Sequence, residues 1–148
     1  MNQSRTIFAV LLASLSLTAS AATLVCPDLS GAAQINACPT EEELKYTYNG
    51  FCSDAAKAYA NQTDSCLRYE DYRAMKNVAL WESKDGVFDA YVSCDKPPAE
   101  VRMLRSTGMK IEKQGKLTKL VCSYPGGVKF TYRTKGACQL ENAQATCD

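Results

Sequence analysis

Residues 117–133 read LTKLVCSYPGGVKFTYR, and apolar side chains recur in this segment at every second position. A period of two is typical of β-strands, and Pro125-Gly126-Gly127 has the composition of a turn. The segment therefore predicts a hairpin of two strands, residues 117–124 and 128–133. The side chains expected to face a common core are those of Leu120, Cys122, Tyr124, Val128, Phe130 and Tyr132.

A second predicted hairpin precedes this one. Ser83-Lys84-Asp85-Gly86 is rich in turn residues and separates two alternating segments, residues 78–82 and 87–94. Asp95-Lys96-Pro97-Pro98 should end the second strand, because proline cannot donate to a strand ladder. One face of that strand would carry Phe88, Ala90, Val92 and Cys94. Weaker patterns predict two further strands, at residues 101–105 and 109–113.

The segment before these strands has helical signals. Thr40 and the three following glutamates combine a capping hydroxyl with acids near the positive end of a helix dipole. Asn49-Gly50 is expected to end this helix. A third helix should begin at Asp64 or Ser65 and continue to Met75. Between the two, a second helix is indicated by apolar side chains at helical spacing, namely Cys52, Ala55, Ala56, Tyr59 and Ala60.

These elements predict an α+β fold. We expect an antiparallel sheet of four to six strands with the N-terminal helices packed on one face. Residues 22–148 would form a single disulfide-rich domain, with a helical part at about 38–77 and a sheet part at about 78–135.

Residues 1–21 have the features of a signal peptide. Arg5 gives a positive start, residues 7–17 are largely apolar, and Ala19-Ser20-Ala21 supplies the small residues that a signal peptidase accepts. The apolar run is shorter than the ~20 residues that span a bilayer. We therefore expect cleavage near Ala22, no transmembrane segment in the mature chain, and a bacterial protein exported to the periplasm or the extracellular space.

The chain has eight cysteines, all beyond the predicted cleavage point. An even number of cysteines in an exported chain predicts disulfides, and no two lie close enough for a zinc knuckle. Closeness in sequence and shared strand faces favour the pairs Cys52–Cys66, Cys94–Cys122 and Cys138–Cys147, which leaves Cys26–Cys38. Many different pairings can be drawn, so the sequence does not fix the connectivity.

Charge is unevenly distributed along the chain. Residues 22–71 contain eight acidic and three basic residues, whereas residues 101–135 contain nine basic residues and Glu112 as the one acid. Strand alternation places four of the bases on the side away from the core: Lys110, Lys119, Lys129 and Arg133. Such a surface could bind an anionic lipid, a glycan or an acidic protein.

These bases could also have a structural role, in one of two ways. They could protect sheet edges and keep the protein soluble, or the acidic helices could cover them. We do not expect nucleic acid as the partner, because the region lacks exposed aromatic residues interleaved with its bases.

The chain has no histidine, which excludes Ser-His-Asp and Cys-His catalysis and the common zinc centres. We expect no metal, no cofactor and no enzymatic activity. Asp85, Asp89 and Asp95 are candidate acids, but each is expected to be a solvated surface residue. Trp81 and Tyr91 are expected to pack in the core or on a sheet face, with sugar stacking as the alternative.

Three features resemble a bacterial family of small exported domains without an assigned biochemical role. They are Cys38-Pro39 before Leu44-Lys45, the single Trp81, and Leu120-Val121-Cys122-Ser123-Tyr124. The resemblance implies a Cys38–Cys122 disulfide. The remaining six cysteines and the helical stretch from Cys52 to Met75 depart from the pattern.

The 122–132 hairpin is also similar to strands of small periplasmic lysozyme inhibitors. Such inhibitors insert a loop into an acidic cleft, and the tip at Pro125-Gly126-Gly127 could serve in that role. We therefore predict a secreted binding module that recognises an anionic partner through its basic strands, as a virulence or host-interaction factor. An inhibitor of a hydrolase such as lysozyme is the alternative.

Overall fold

A computed structural model of the chain describes residues 22–53 and 64–148. The predicted signal peptide at residues 1–21 and most of the predicted second helix, from residue 54 to Ala60, lie outside the described residues. The helices in the described ranges are α1 (Glu41–Cys52), α2 (Tyr69–Lys76) and α3 (Pro98–Met103). Short 3-10 turns lie at Leu29–Gly31, Asp64–Cys66 and Pro125–Gly127.

The described strands form two antiparallel sheets. They are β1 (Ala22–Val25), β2 (Ala33–Gln34), β3 (Val78–Glu82), β4 (Asp89–Ser93), β5 (Gly108–Gln114), β6 (Leu117–Ser123), β7 (Lys129–Thr134), β8 (Cys138–Glu141) and β9 (Gln144–Cys147). A six-stranded sheet has the order β2-β3-β4-β7-β6-β5, and a three-stranded sheet has the order β1-β9-β8. The α+β class and an antiparallel sheet of up to six strands are thus confirmed, whereas the smaller sheet was not predicted.

One face of the six-stranded sheet forms the core. In the β6–β7 hairpin, Leu120 pairs with Tyr132 and Cys122 with Phe130, as the alternation predicts. Leu120, Cys122 and Phe130 are completely buried, and the Phe130 ring packs edge-on against Tyr124 with centroids 5.8 Å apart. Side chains from β3 and β4 extend the same core: Ala79, Trp81, Ala90 and Val92.

The core face is covered by short elements from three parts of the chain. Leu29 of the first 3-10 turn and Val101 of α3 are both fully buried against it, and Ala145 and Cys147 of β9 complete the cover. Residues 101–105 were expected to be a strand, and that prediction is wrong. Pro98 fits the first turn of a helix, where its missing N–H needs no partner, and the helix delivers Val101 to the core.

The helices α1 and α2, with the Asp64–Cys66 turn, form a unit that we call the helical hairpin. Thr40 and Glu43 make the predicted capping box at the start of α1. Asn49-Gly50 does not end α1, which continues to Cys52, because Phe51 packs against Tyr72 of α2 with ring centroids 5.6 Å apart.

The helical hairpin is joined to one end of the sheet. Its links are the Cys38–Cys94 disulfide, a bidentate contact from Arg73 to Asp95, and a hydrogen bond from the Cys94 N–H to the Asn77 carbonyl. The expected packing of the N-terminal helices on one face of the sheet is not confirmed. No helix within residues 22–53 and 64–148 is long and apolar enough to cross a membrane.

All eight cysteines are paired, as Cys26–Cys122, Cys38–Cys94, Cys52–Cys66 and Cys138–Cys147. The predicted pairs Cys52–Cys66 and Cys138–Cys147 are confirmed. The predicted Cys94–Cys122 and Cys26–Cys38 pairs, and the Cys38–Cys122 pair implied by the resemblance, are wrong.

The physical reason for the first error is the strand order. Cys94 follows β4 and Cys122 lies on β6, and β7 lies between these two strands. Strands two positions apart are separated by about 10 Å, which exceeds the Cα distance that a disulfide can bridge. Cys122 instead pairs with Cys26, which follows β1 of the small covering sheet.

Candidate functional site

The strand register places the four predicted bases on the face of the sheet opposite the core. Each is offset by one residue from a core-facing neighbour in β5, β6 or β7. Lys110, Lys129 and Arg133 are exposed, and Lys119 is half-buried. We call this outer surface of β5–β7 the basic face, and we define it by Lys110, Glu112, Lys119, Lys129 and Arg133.

Glu112 pairs with one lysine of the basic face and lies opposite another, Lys119 on β6. The ammonium of Lys110 lies 2.6 Å from a carboxylate oxygen of Glu112, and this hydrogen bond lowers the pKa of Glu112. The nearby charges of Lys119 and Lys129 lower the pKa of Glu112 further. One carboxylate on the edge strand β5 therefore lies in the electrostatic field of lysines from three adjacent strands. Its single negative charge can neutralise the positive charge of only one of these lysines.

Arg133 has a different partner, Asp89 of β4. Its Nη1 donates to both carboxylate oxygens of Asp89, at 2.8 and 2.9 Å. The Thr131 hydroxyl also donates to Asp89, at 3.1 Å. With Asp89 included, the surface holds four positive and two negative groups. Glu82 lies opposite Asp89 on β3, so negative charge collects at this border of the basic face.

The ion pairs that the described structure gives these four bases are made with acids of the sheet itself. Lys110 pairs with Glu112 and Arg133 with Asp89, and both acids lie on strands. The described ion pairs of the helical acids are made elsewhere, for example between Glu41 and Arg73. These contacts do not favour the alternative in which acidic helices cover the bases.

An exposed apolar strip adjoins the basic face on the same side of the sheet. Tyr91 of β4 is 69% exposed, Leu80 opposite it on β3 is half-buried, and Ile35, whose N–H donates to the Leu80 carbonyl, is 51% exposed. Trp81 is buried, as expected, beneath the guanidinium of Arg102.

Tyr91 was expected in the core or on a sheet face, and it lies on the outer face of the sheet, where 69% of it is exposed. Ala90 and Val92, its neighbours along β4, are buried, so the alternation of side chains turns Tyr91 to the outer side of the sheet. The position of Tyr91 between these two core residues was the signal that could have shown its exposure.

The remaining candidate acids serve structural roles. Asp85 accepts hydrogen bonds from the Ser83 hydroxyl at 2.6 Å and the Val87 N–H at 3.1 Å, and the Ser83 bond is the main cause of its lowered pKa. The pKa of Asp95 is lowered chiefly by its hydrogen bonds from Arg73. A general acid needs a raised pKa, so neither carboxyl is suited to that role. Within the described ranges, no group of three cysteine, aspartate or glutamate side chains is arranged to hold a metal ion.

The two largest of the described cavities lie at the helical hairpin. One, of about 590 Å³, is lined by residues that include Cys38, Leu44 and Val78, and one of about 730 Å³ lies beside Phe51. Residues of the basic face line neither cavity. The basic face is accordingly an open surface, suited to an extended partner better than to a small molecule.

The turn at Pro125–Gly127 is exposed, with Gly126 at φ 69° and Gly127 at φ 78°.

The fold and this surface define an α+β protein with two antiparallel sheets, four disulfides and a sheet face on which Lys110, Lys129 and Arg133 are exposed. Comparisons with protein-family models, with curated proteins and with solved structures find no match for the chain. They neither support nor contradict the resemblance to the family of small exported domains.

Proposed function

We propose that this protein is an exported binding module that recognises an anionic partner through its basic face. The observation that supports the proposal is the grouping of lysines around one acid: Lys110 pairs with Glu112 at 2.6 Å, Lys119 lies opposite Glu112 on β6, and Lys129 is on the next strand of the same face. A single carboxylate leaves most of the lysine charge unneutralised, and an anionic group bound beside Glu112 would be attracted to all three ammonium groups.

The side chains of the basic face suit reversible electrostatic recognition. Lysine is a hydrated point charge on a flexible stem, so the three lysines can adapt to anionic groups at variable positions. Because these groups are largely exposed, salt screens their attraction strongly. The interaction would therefore be salt-dependent, and its charge complementarity would govern association rate and specificity more than affinity.

The compartment is part of the proposal. Four disulfides fit a protein that folds in an oxidising environment. Together with the predicted signal peptide at residues 1–21, they support export to the periplasm or the extracellular space. In that setting the anionic partner would be a lipid headgroup, a glycan or an acidic protein of the cell envelope or of a host.

The test measures retention of the purified protein on beads that carry a polyanion, at about 50 mM and about 500 mM salt. We expect retention at low salt and release at high salt. The double variant Lys119→Gln, Lys129→Gln should lose most of its retention. The matched control, Lys45→Gln with Lys84→Gln, removes the same charge from α1 and from the β3–β4 turn, and it should be retained like the native protein.

Equal retention at both salt concentrations, or equal loss in the two double variants, would contradict a role for the basic face. A separate assay addresses the alternative function. If the protein slows the lysis of a cell-wall substrate by lysozyme, and the slowing does not depend on Lys119 and Lys129, the inhibitor function replaces the binding module.

A further inference from the structure

Tyr91 is an aromatic side chain exposed in the middle of a sheet. It lies on β4, which has β3 on one side and β7 on the other, and 69% of it is exposed. An exposed ring on a central strand contributes nothing to the core below it. Its flanking residues on the same side, Leu80 and Ile35, give the ring an apolar border.

The register brings this ring beside the basic face. Asp89 of β4 pairs with Thr131 of β7, and continuing that antiparallel register by two residues places Tyr91 next to Lys129. Adjacent strands are about 4.8 Å apart, so the Tyr91 and Lys129 side chains leave neighbouring backbone positions on the same face of the sheet. On the next two strands, β6 and β5, Ser123 and Gly108 are level with Lys129, and Lys119 and Lys110 lie four and two positions further along the same face.

We propose that Tyr91 and the basic face together bind an acidic polysaccharide, which rests on the proposed function and specifies its partner. One pyranose ring would lie with its C–H face on the Tyr91 ring, and the tyrosine hydroxyl would reach a sugar hydroxyl. Anionic groups on neighbouring sugars would pair with Lys129, Lys119 and Lys110.

The two carboxylates on this surface favour a glycan over a nucleic acid. Asp89 and Glu112 are hydrogen-bond acceptors, so they can receive hydroxyl groups, which sugars present in number. Single-stranded nucleic acid also uses successive aromatic rings for successive bases, whereas this part of the described surface presents Tyr91 alone.

The test uses four polymers and one vesicle. Polygalacturonate has sugar rings and carboxylates, polyglutamate has carboxylates without sugar rings, dextran has rings without charge, and oligo-dT has phosphates and bases. Vesicles of phosphatidylglycerol and phosphatidylcholine represent a membrane. Binding is measured at one low salt concentration for the native protein, for Tyr91→Ala, and for the control Tyr46→Ala, which removes a tyrosine that is 79% exposed on α1.

We expect polygalacturonate to bind about tenfold more tightly than polyglutamate at equal charge, because stacking adds to the ionic attraction. Tyr91→Ala should abolish that difference and leave polyglutamate binding unchanged, whereas Tyr46→Ala should change neither. Circular dichroism of both variants confirms that the fold is retained.

The failures of the two proposals are distinguishable. Equal binding of the two acidic polymers, with no effect of Tyr91→Ala, overturns the polysaccharide proposal and leaves anion binding in place. Binding to none of the anionic probes overturns both. Tighter binding to oligo-dT or to the anionic vesicles replaces the polysaccharide with nucleic acid or a membrane surface.

Discussion

The six-stranded sheet and the helical hairpin are held together by different means. The sheet buries large apolar side chains completely, among them Phe88, Phe130 and Leu120. In the described residues of α1 and α2, the buried side chains are Leu44 and Tyr72, and the other described contacts include aromatic ring pairs, ion pairs and the Cys52–Cys66 disulfide.

This difference shows where a substitution will be costly. Burial stabilises the sheet in proportion to the apolar area removed from water, and a cavity there cannot collapse easily. The helical hairpin has less apolar area to lose, so its order depends on a covalent link and on exposed charges. The outer face of the sheet carries the residues of the proposed binding site.

The largest effect is expected for Phe130→Ala. The Phe130 ring is completely buried between Tyr124 and the core side chains of neighbouring strands, so its removal should lower the free energy of unfolding by about 3–5 kcal/mol. Chemical denaturation followed by circular dichroism measures this. Tyr91→Ala, on the outer face of the same sheet, is the control and should change stability by less than about 0.5 kcal/mol. Similar losses in the two variants would contradict the assigned core.

A smaller effect is expected when the helical hairpin loses its disulfide. Cys52 and Cys66 are 14 residues apart, and a loop of this size is worth about 3 kcal/mol in the chain-entropy model. The double variant Cys52→Ser, Cys66→Ser should lose protection from amide hydrogen exchange in α1 and α2 while β6 and β7 stay protected.

Removing Cys138–Cys147, which closes a similarly short loop between β8 and β9, provides the control. That variant should leave α1 and α2 protected. If Cys52→Ser, Cys66→Ser instead exposes the sheet amides to the same extent as the helical ones, the two regions unfold as one unit and the distinction between them fails.

Much of the sheet was predictable because its signal is local. In β3, β4, β6 and β7 the alternation of side chains identified both the strand and its buried face. The β8–β9 hairpin was missed because its turn residues, Asn142 and Ala143, both have positive φ, of 48° and 62°. Turns of this kind usually contain glycine, and alanine at the second position gives no such signal.

The surface was predictable in part for the same reason. The alternation of side chains along each strand identified the bases that point away from the core. Which acids pair with those bases depends on the order of the strands in the sheet. Asp89 meets Arg133 from 44 positions away, because β4 lies beside β7. The same limit applies to Cys26–Cys122 and Cys38–Cys94, whose partners are separated by 96 and 56 positions.

The smallest effect is expected where charge joins the helical hairpin to the sheet. Arg73 of α2 donates two hydrogen bonds to Asp95, at 3.1 and 3.2 Å, and these bonds lower the pKa of Asp95 below its ordinary value of 3.8. Asp95→Asn should destabilise the protein less than either preceding variant, because the Asp95 side chain is 58% exposed and solvent screens the pair.

The pH dependence of the stability difference between the native protein and Asp95→Asn identifies the contact between Arg73 and Asp95. A carboxyl whose pKa is lowered by folding stabilises the protein at pH values above the pKa that it has in the unfolded state. This contribution is lost as the pH falls through the lower pKa of the folded state. The native protein should therefore exceed the variant in stability at about pH 6 and lose that advantage by about pH 2, as measured by urea denaturation. Glu42→Gln, which removes a carboxylate of α1 outside this contact, is the control and should not reproduce the change. A difference between native and Asp95→Asn proteins that persists undiminished in acid would mean that Arg73 does not join the two regions through charge.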